Sequence, residues 1–188
     1  MHTLLQEKAA LRVQARARRD ALPDAERARE SAALCALLAE HPAFLQSDLL
    51  LTFSPVRGEV DLTALAVLAH ASGKQVAYPR CEGKEMLFYL CAPHALTNGR
   101  FGIPAPPPDA PRALPTARTL CLLPALAAAK DGGRLGYGGG FYDRFLPTFA
   151  GISILPIYQA LLFDTLPQEP TDRKPDWILT EKGVAYRA

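Results

Sequence analysis

Cysteine is scarce and scattered in this chain. Cys35, Cys81, Cys91 and Cys121 contain no Cys-x-x-Cys pair. Three of them stand in apolar runs, where a free thiol behaves as a small buried hydrophobe. A disulfide framework or zinc site is therefore not expected, and a reducing, cytoplasmic setting is. An excess of either charge is missing too, with 21 Lys and Arg against 19 Asp and Glu. That balance excludes a polybasic nucleic-acid coat and an acidic disordered tail. No apolar run approaches the ~18 residues needed to cross a bilayer, and the N-terminal stretch lacks the apolar centre of a secretory signal. The four histidines show no ligand spacing, and no segment repeats. What remains is a cytoplasmic protein without a nucleic-acid or membrane partner, expected as a monomer or weak homo-oligomer.

Proline is present in excess, at 17 of 188 residues, where about 5% is usual. The length suits one domain spanning residues 1–188. The first 40 residues read as two helices broken at Pro23. Lys8, Arg12, Arg16 and Arg19 share one face of the first, which on spacing alone is either a solvated basic face or a binding stripe. Ser31, Leu34, Cys35, Leu37 and Leu38 form a core-facing stripe on the second. Short continuous apolar runs then follow at Asp48–Phe53, Gln75–Tyr78, Leu120–Leu123, Gly151–Leu155 and Trp177–Thr180. Runs of this kind suit strands buried on both faces, and Thr63–Ala71 and Phe141–Phe149 read as helices between them. The expected fold is α/β, a three-layer α/β/α domain with an open, mostly parallel, Rossmann-like sheet. Pro55, Pro79, Pro124 and Pro156 are expected to end strands. The six prolines of Gly99–Pro115 imply a stiff extended connection.

Six of the 13 glycines fall in Asp131–Arg144. Glycine lets backbone N–H groups turn toward a ligand, and a helix N-terminus after it favours anions. Arg134 and Arg144 bracket the stretch with cations suited to phosphate. A P-loop is excluded, because Gly139 and Gly140 stand where it needs Lys. The dinucleotide spacing fails at Phe141 and Asp143. A flexible turn or a phosphate loop of another kind remains, and the interleaved Arg134, Tyr137, Tyr142 and Asp143 favour the second.

The segment Gly133-Arg-Leu-Gly-Tyr-Gly-Gly-Gly-Phe-Tyr-Asp-Arg144 closely resembles the signature of the 5-formyltetrahydrofolate cyclo-ligase family. Lys8-Ala-Ala-Leu-Arg12, Phe53-Ser54 through Glu59-Val60-Asp61, Phe101-Gly-Ile-Pro104, and Asp172 through Trp177–Thr180 resemble further family segments in the same order. The resemblance implies ATP- and Mg²⁺-dependent closure of 5-formyltetrahydrofolate to 5,10-methenyltetrahydrofolate through a phosphorylated formyl group. It implies that Lys8, Arg12 and the run Arg134, Leu135, Gly136, Tyr137, Gly138, Gly139, Gly140, Phe141 and Tyr142 bind ATP. Phe53, Glu59, Tyr137, Gly138, Gly139, Gly140 and Phe141 would meet the folate, with Glu59 accepting from the pterin N–H groups. Arg134, Tyr142 and Asp143 would serve the chemistry, and Asp143 and Asp172 would hold Mg²⁺. Tyr78, Met86 and Phe88 are open between ligand contact and core packing.

The chain departs from the family pattern in three places. Phe141 replaces a usual Tyr, Ala127-Ala-Ala-Lys130 replaces a segment with an aromatic–Asp pair, and Pro23 replaces a capping Ser. The alternative reading is a paralogue that binds nucleotide or folate without turnover.

Overall fold

The computed structural model describes residues 3–99 and 102–188. The chain runs through α1 (Leu4–Asp20), α2 (Asp24–Glu40), α3 (Pro42–Leu45), β1 (Leu49–Leu51), α4 (Thr63–Ala71), β2 (Gln75–Glu82), β3 (Glu85–Leu90), β4 (Thr97–Asn98) and β5 (Pro104–Ala105). It continues with β6 (Thr119–Leu122), β7 (Ala127–Ala129), β8 (Arg134–Leu135), α5 (Phe141–Phe145), β9 (Ile152–Pro156), β10 (Leu162–Phe163), β11 (Trp177–Thr180) and β12 (Gly183–Arg187). Helix α1 starts in a capping box, where Gln6 N–H donates to the Thr3 hydroxyl and Thr3 N–H to the Gln6 side chain. Helix α2 has no side-chain cap at Pro23, but Asp24 and Glu26 in its first turn favour the positive end of the helix dipole.

Seven strands form the main sheet in the order β12-β11-β9-β6-β1-β2-β3. Strands β2, β1, β6, β9 and β11 are parallel, and β3 and β12 close the edges antiparallel. Every residue of β1 and β6 is buried, which requires cover on both faces and explains their unalternating sequence. Helix α2 packs on α4 and α4 on β2, while α5 packs on β3. The expected α/β class with a large, mostly parallel sheet therefore holds. Chain direction across the sheet reverses between β1 and β6, since β1 leads outward to β2 and β6 to β9. Open α/β sheets form ligand crevices at such a reversal, beyond the strand C-termini. Phe53 and Pro124 follow those two strands.

Several local expectations are corrected. Pro79 does not end β2 but lies within it. Thr52 N–H donates to the Ala77 carbonyl and Cys91 N–H to the Val76 carbonyl, so alternate β2 residues face β1 and β3. Pro79 falls on the β1 side, beyond the last β1 residue paired with it, and its missing N–H breaks no ladder bond. Pro156 is the last residue of β9 rather than the residue after it. Gly99–Pro115 is not wholly without structure, because Pro104–Ala105 pairs with Thr97–Asn98 and Arg112 bridges to Tyr89. Of the Phe101–Pro104 motif, Phe101 lies outside the described residues. The expected helix Phe141–Phe149 ends at Phe145, and a 3₁₀ turn over Leu146–Thr148 follows, with Pro147 lacking the N–H for another α turn. Leu37 is 38% exposed and leaves the core stripe, whereas Ser31, Leu34, Cys35 and Leu38 are buried. Strands β3, β4, β5, β7, β8, β10 and β12 have no counterpart among the expected strands.

Candidate active site

Beyond the C-terminal ends of β1 and β6 opens a cavity of about 1520 Å³. Ligand pockets commonly measure roughly 300–1,000 Å³, so this one has room for more than a single small ligand. The cavity is lined by Lys8, Arg12, Phe53, Glu59, Asp172 and the whole run from Arg134 to Asp143. Residues from four distant parts of the chain thus meet in one place. Met86 also lines it, whereas Tyr78 and Phe88 are buried in the core away from it.

The cationic stripe of α1 faces inward. Lys8 is only 4% exposed, and its ammonium donates to Asp172 at 2.6 Å and Glu169 at 2.7 Å. Burial would lower the Lys8 pKa, but the two carboxylates outweigh it and raise it, so the ammonium stays charged. One turn on, Arg12 Nε donates to the Gly136 carbonyl at 2.9 Å. Arg19 is buried as well, and it donates to Tyr137 Oη at 3.2 Å. Arg16 is half-buried. The solvated-face reading therefore fails for Lys8 and Arg19.

The glycine-rich segment is better ordered than a loose spacer. Its first part is a hairpin in which β8 pairs antiparallel with β7, while β7 also pairs parallel with β10. Asp131 holds the turn by accepting from Gly133 N–H at 2.9 Å and from the Gln168 amide at 3.1 Å. Gly132 sits at φ 88°, and a Cβ there would meet the Tyr186 ring at 2.5 Å, so no other residue fits without movement. Gly140, at φ 63°, caps α5 in the left-handed region, where side chains are disfavoured. Ala127, Ala128 and Ala129 are fully buried in β7 and do not line the cavity.

From this frame Arg134 reaches its partner. Its side chain is 5% exposed and pairs with Asp143, which also accepts from Arg173 N–H at 3.1 Å. Arg134 Nε is buried without a hydrogen-bond partner, and so is the Tyr142 hydroxyl. Burial pushes the Tyr142 phenol well up, so it remains a proton donor. An unpaired donor buried beside a cavity costs free energy unless a ligand supplies its acceptor. Arg144 also lines the cavity, but its guanidinium is held by the protein, donating to the carbonyls of Lys84 at 3.0 Å and Gly139 at 2.9 Å and lying over the Phe141 ring.

At the other end, Glu59 is 9% exposed beside Phe53. Its carboxylate accepts from Tyr137 Oη and from Val56 N–H at 3.0 Å. Burial raises its pKa, opposed by the Tyr137 and Val56 hydrogen bonds and the Arg19 charge. The loop that presents it holds Arg57 at φ 50°, a conformation uncommon outside glycine and concentrated at functional sites.

Among the described residues no cluster of three His, Cys, Asp or Glu side chains is grouped for a metal ion. Asp143 and Asp172 nevertheless suit Mg²⁺, which takes one or two carboxylates and completes its shell with phosphate oxygens and water. Asp143 uses Oδ1 and Asp172 uses Oδ2 in the hydrogen bonds above, and each keeps its second oxygen. Sequence reasoning missed Glu169 and Arg173 at this end. Neither carries a local signal, because each matters only through its fold neighbour.

The 5-formyltetrahydrofolate cyclo-ligase family matches residues 5–181 of the chain. A 5-formyltetrahydrofolate cyclo-ligase of Mycolicibacterium smegmatis is 38% identical over 93 residues, which cover 48% of each protein. That of Haemophilus influenzae is 32% identical over 123 residues, 61% of this chain and 66% of its own. The chain thus spans about half to two thirds of these two relatives. The NMR structure of Aquifex aeolicus 5,10-methenyltetrahydrofolate synthetase superposes with a TM-score of 0.82 at 32% identity, over 94% of this chain and 91% of that one. A synthetase of that name from Mycoplasma pneumoniae shares the fold, with a TM-score of 0.76 at 22% identity over 93% and 99% of the two chains. Together with a match reaching from α1 to β11, these likenesses show that the chain belongs to the 5-formyltetrahydrofolate cyclo-ligase family.

Proposed function

We propose that the protein closes 5-formyltetrahydrofolate to 5,10-methenyltetrahydrofolate at the expense of ATP. The observation that carries this reading is the two-ended cavity. One end gathers Lys8, Arg12 and Arg134 beside the glycine run, and the other, where Arg19 stands about three turns further along α1 than Lys8, pairs an acceptor, Glu59, with the apolar Phe53. A triphosphate suits the first end and a flat ring with N–H donors the second.

An amide oxygen is a poor leaving group, so the formyl oxygen must first be activated. That oxygen attacks the γ-phosphorus, the bond to ADP breaks, and an iminium phosphate forms. N10 then attacks the iminium carbon and loses its proton, and phosphate departs with the C–O bond electrons. Catalysis of such a transfer is mostly positioning and charge stabilisation. Arg134 presents its unpaired Nε–H edge and Tyr142 its buried hydroxyl to the phosphoryl oxygens. Lys8 and Arg12, one turn apart, hold the rest of the phosphate chain. The glycine run admits the triphosphate against backbone N–H groups. Glu59 orients the pterin, and the Phe53 and Phe141 rings flank it. Asp143 and Asp172 would hold Mg²⁺, which supplies charge neutralisation on the phosphates when bound with the nucleotide.

The Ala127–Ala129 departure lies in a buried strand off the cavity and does not count against turnover. Purified protein given 5-formyltetrahydrofolate, ATP and Mg²⁺ is expected to develop the near-ultraviolet absorbance of the methenyl product with one ADP per product. Absence of product at micromolar enzyme overturns the proposal, and binding of either substrate in that case marks a binding paralogue.

Lys8→Ala is expected to raise the KM for ATP about ten- to a hundredfold, the worth of one charge-assisted hydrogen bond, with a smaller change in kcat. Steady-state rates with ATP varied check this. An unchanged KM would leave Lys8 as a tie between α1 and the 169–172 loop.

A further inference from the structure

Unlike Lys8 and Arg12, Arg19 does not line the large cavity, yet it is buried. It lies behind Glu59, next to Phe53, Pro124 and Tyr158, around a void of about 10 Å³. That space holds at most about one water, so no substrate reaches the guanidinium. A buried Arg is costly unless paired. The one carboxylate paired with Arg19 among the described residues is Asp20, at 3.5 Å and largely exposed. The remaining partner is Tyr137 Oη, which accepts from Arg19 at 3.2 Å and donates to Glu59 Oε1. Val56 N–H holds the other Glu59 oxygen, and Tyr158 Oη donates to the Glu59 carbonyl at 3.1 Å. The chain Arg19–Tyr137–Glu59 therefore links a buried cation to the carboxylate at the folate end.

We propose that Arg19 is a positioning residue for folate recognition: through the Tyr137 hydroxyl it holds the Glu59 carboxylate as a fixed acceptor for the N–H edge of the pterin. This rests on the cyclo-ligase reading, which makes Glu59 the pterin acceptor. The titratable groups facing Glu59 are Arg19 from α1, Tyr137 from the glycine segment and Tyr142 from α5. Tyr158, from the chain after β9, touches only its main chain. Burial favours the neutral acid, and Arg19 and Tyr137 oppose it. A neutral carboxyl would offer a hydroxyl where the pterin offers donors, and the match would be lost. Without Arg19, Glu59 takes up its proton at higher pH, and folate binding weakens from the acid side first.

The test is the Kd for 5-formyltetrahydrofolate, read by calorimetry at about pH 6 and about pH 8.5. Arg19→Met is expected to weaken binding roughly tenfold at the lower pH and less than about threefold at the higher, as loss of a neighbouring opposite charge implies. Arg19→Lys, which keeps the charge, is expected to recover most of the loss. A loss equal at both pH values, or none, overturns the inference. Should Arg19→Met not fold, Tyr137→Phe breaks the same link from the cavity side, and a loss independent of pH there overturns it equally. Glu59→Gln, which does not ionise, is expected to weaken binding at both pH values. If Glu59→Gln binds like the unaltered protein, the pterin role of Glu59 fails. If it weakens binding while Arg19→Met does not, the role of Arg19 alone fails.

Discussion

Asp143→Ala is expected to lose at least about a thousandfold in kcat while the chain still folds, because a charge positioned at a transferred phosphoryl group is worth about 10³–10⁵. Two effects combine. The carboxylate fixes Arg134, whose side chain is almost completely buried, and without it the guanidinium is left charged and free to turn from the phosphate end. The same side chain also offers the oxygen proposed to meet Mg²⁺. Asp143→Asn separates the two, since an amide oxygen still accepts from Arg134 but carries no charge. Equal loss in both variants assigns the effect to charge, and recovery in Asp143→Asn assigns it to the hold on Arg134. The fold is expected to persist because Asp143 lies on the short α5 at the cavity wall and is a quarter exposed. Turnover by Asp143→Ala within tenfold of the unaltered protein would remove this residue from the chemistry.

Arg134→Lys is expected to lower kcat about a hundred- to a thousandfold, the usual worth of one fixed donor at a developing negative charge. Lysine keeps the charge, so the substitution tests geometry. Arg134 uses one NH₂ on Asp143, and its Nε–H has no protein acceptor. A planar fork can thus keep its anchor and still donate to a phosphoryl oxygen. An ammonium group on a single flexible stem that is drawn to Asp143 no longer presents a second, fixed donor. ATP affinity, measured by calorimetry, is expected to fall less than tenfold, because Lys8 and Arg12 remain. A kcat within tenfold of the unaltered value would reduce Arg134 to a structural partner of Asp143.

The sheet was readable from sequence where burial on both faces leaves an unalternating run, as at Leu49–Leu51, Thr119–Leu122 and Trp177–Thr180. It was unreadable where an edge or a small residue weakens that signal. Strand β3 mixes exposed and buried positions at the sheet edge, and β7 consists of three alanines that carry no strand preference of their own. Pro79 read as a terminator because the sequence does not reveal that β1 stops short on that side. The candidate site was legible as a grouping, since the residues singled out from four segments line one cavity. Their partners were not. Which face of α1 points inward depends on docking against Gly136 and Tyr137, more than a hundred residues away. The spacing that aligned Arg19 with Lys8 contains no term for that contact.

Helix α1 also acts as a ruler. Lys8 and Arg19 are eleven residues apart, which at the helical rise is about 16 Å, so one helix reaches from Asp172 to the Tyr137–Glu59 pair. Since each residue turns the helix by about 100°, a single insertion or deletion between Arg12 and Arg19 would swing Arg19 out of its seat while Lys8 stayed in place. The interval from Arg12 to Arg19 therefore constrains length as well as composition. Given the roles proposed for Lys8 and Arg19, the residue count in α1 is a functional quantity, one that substitutions alone would not reveal.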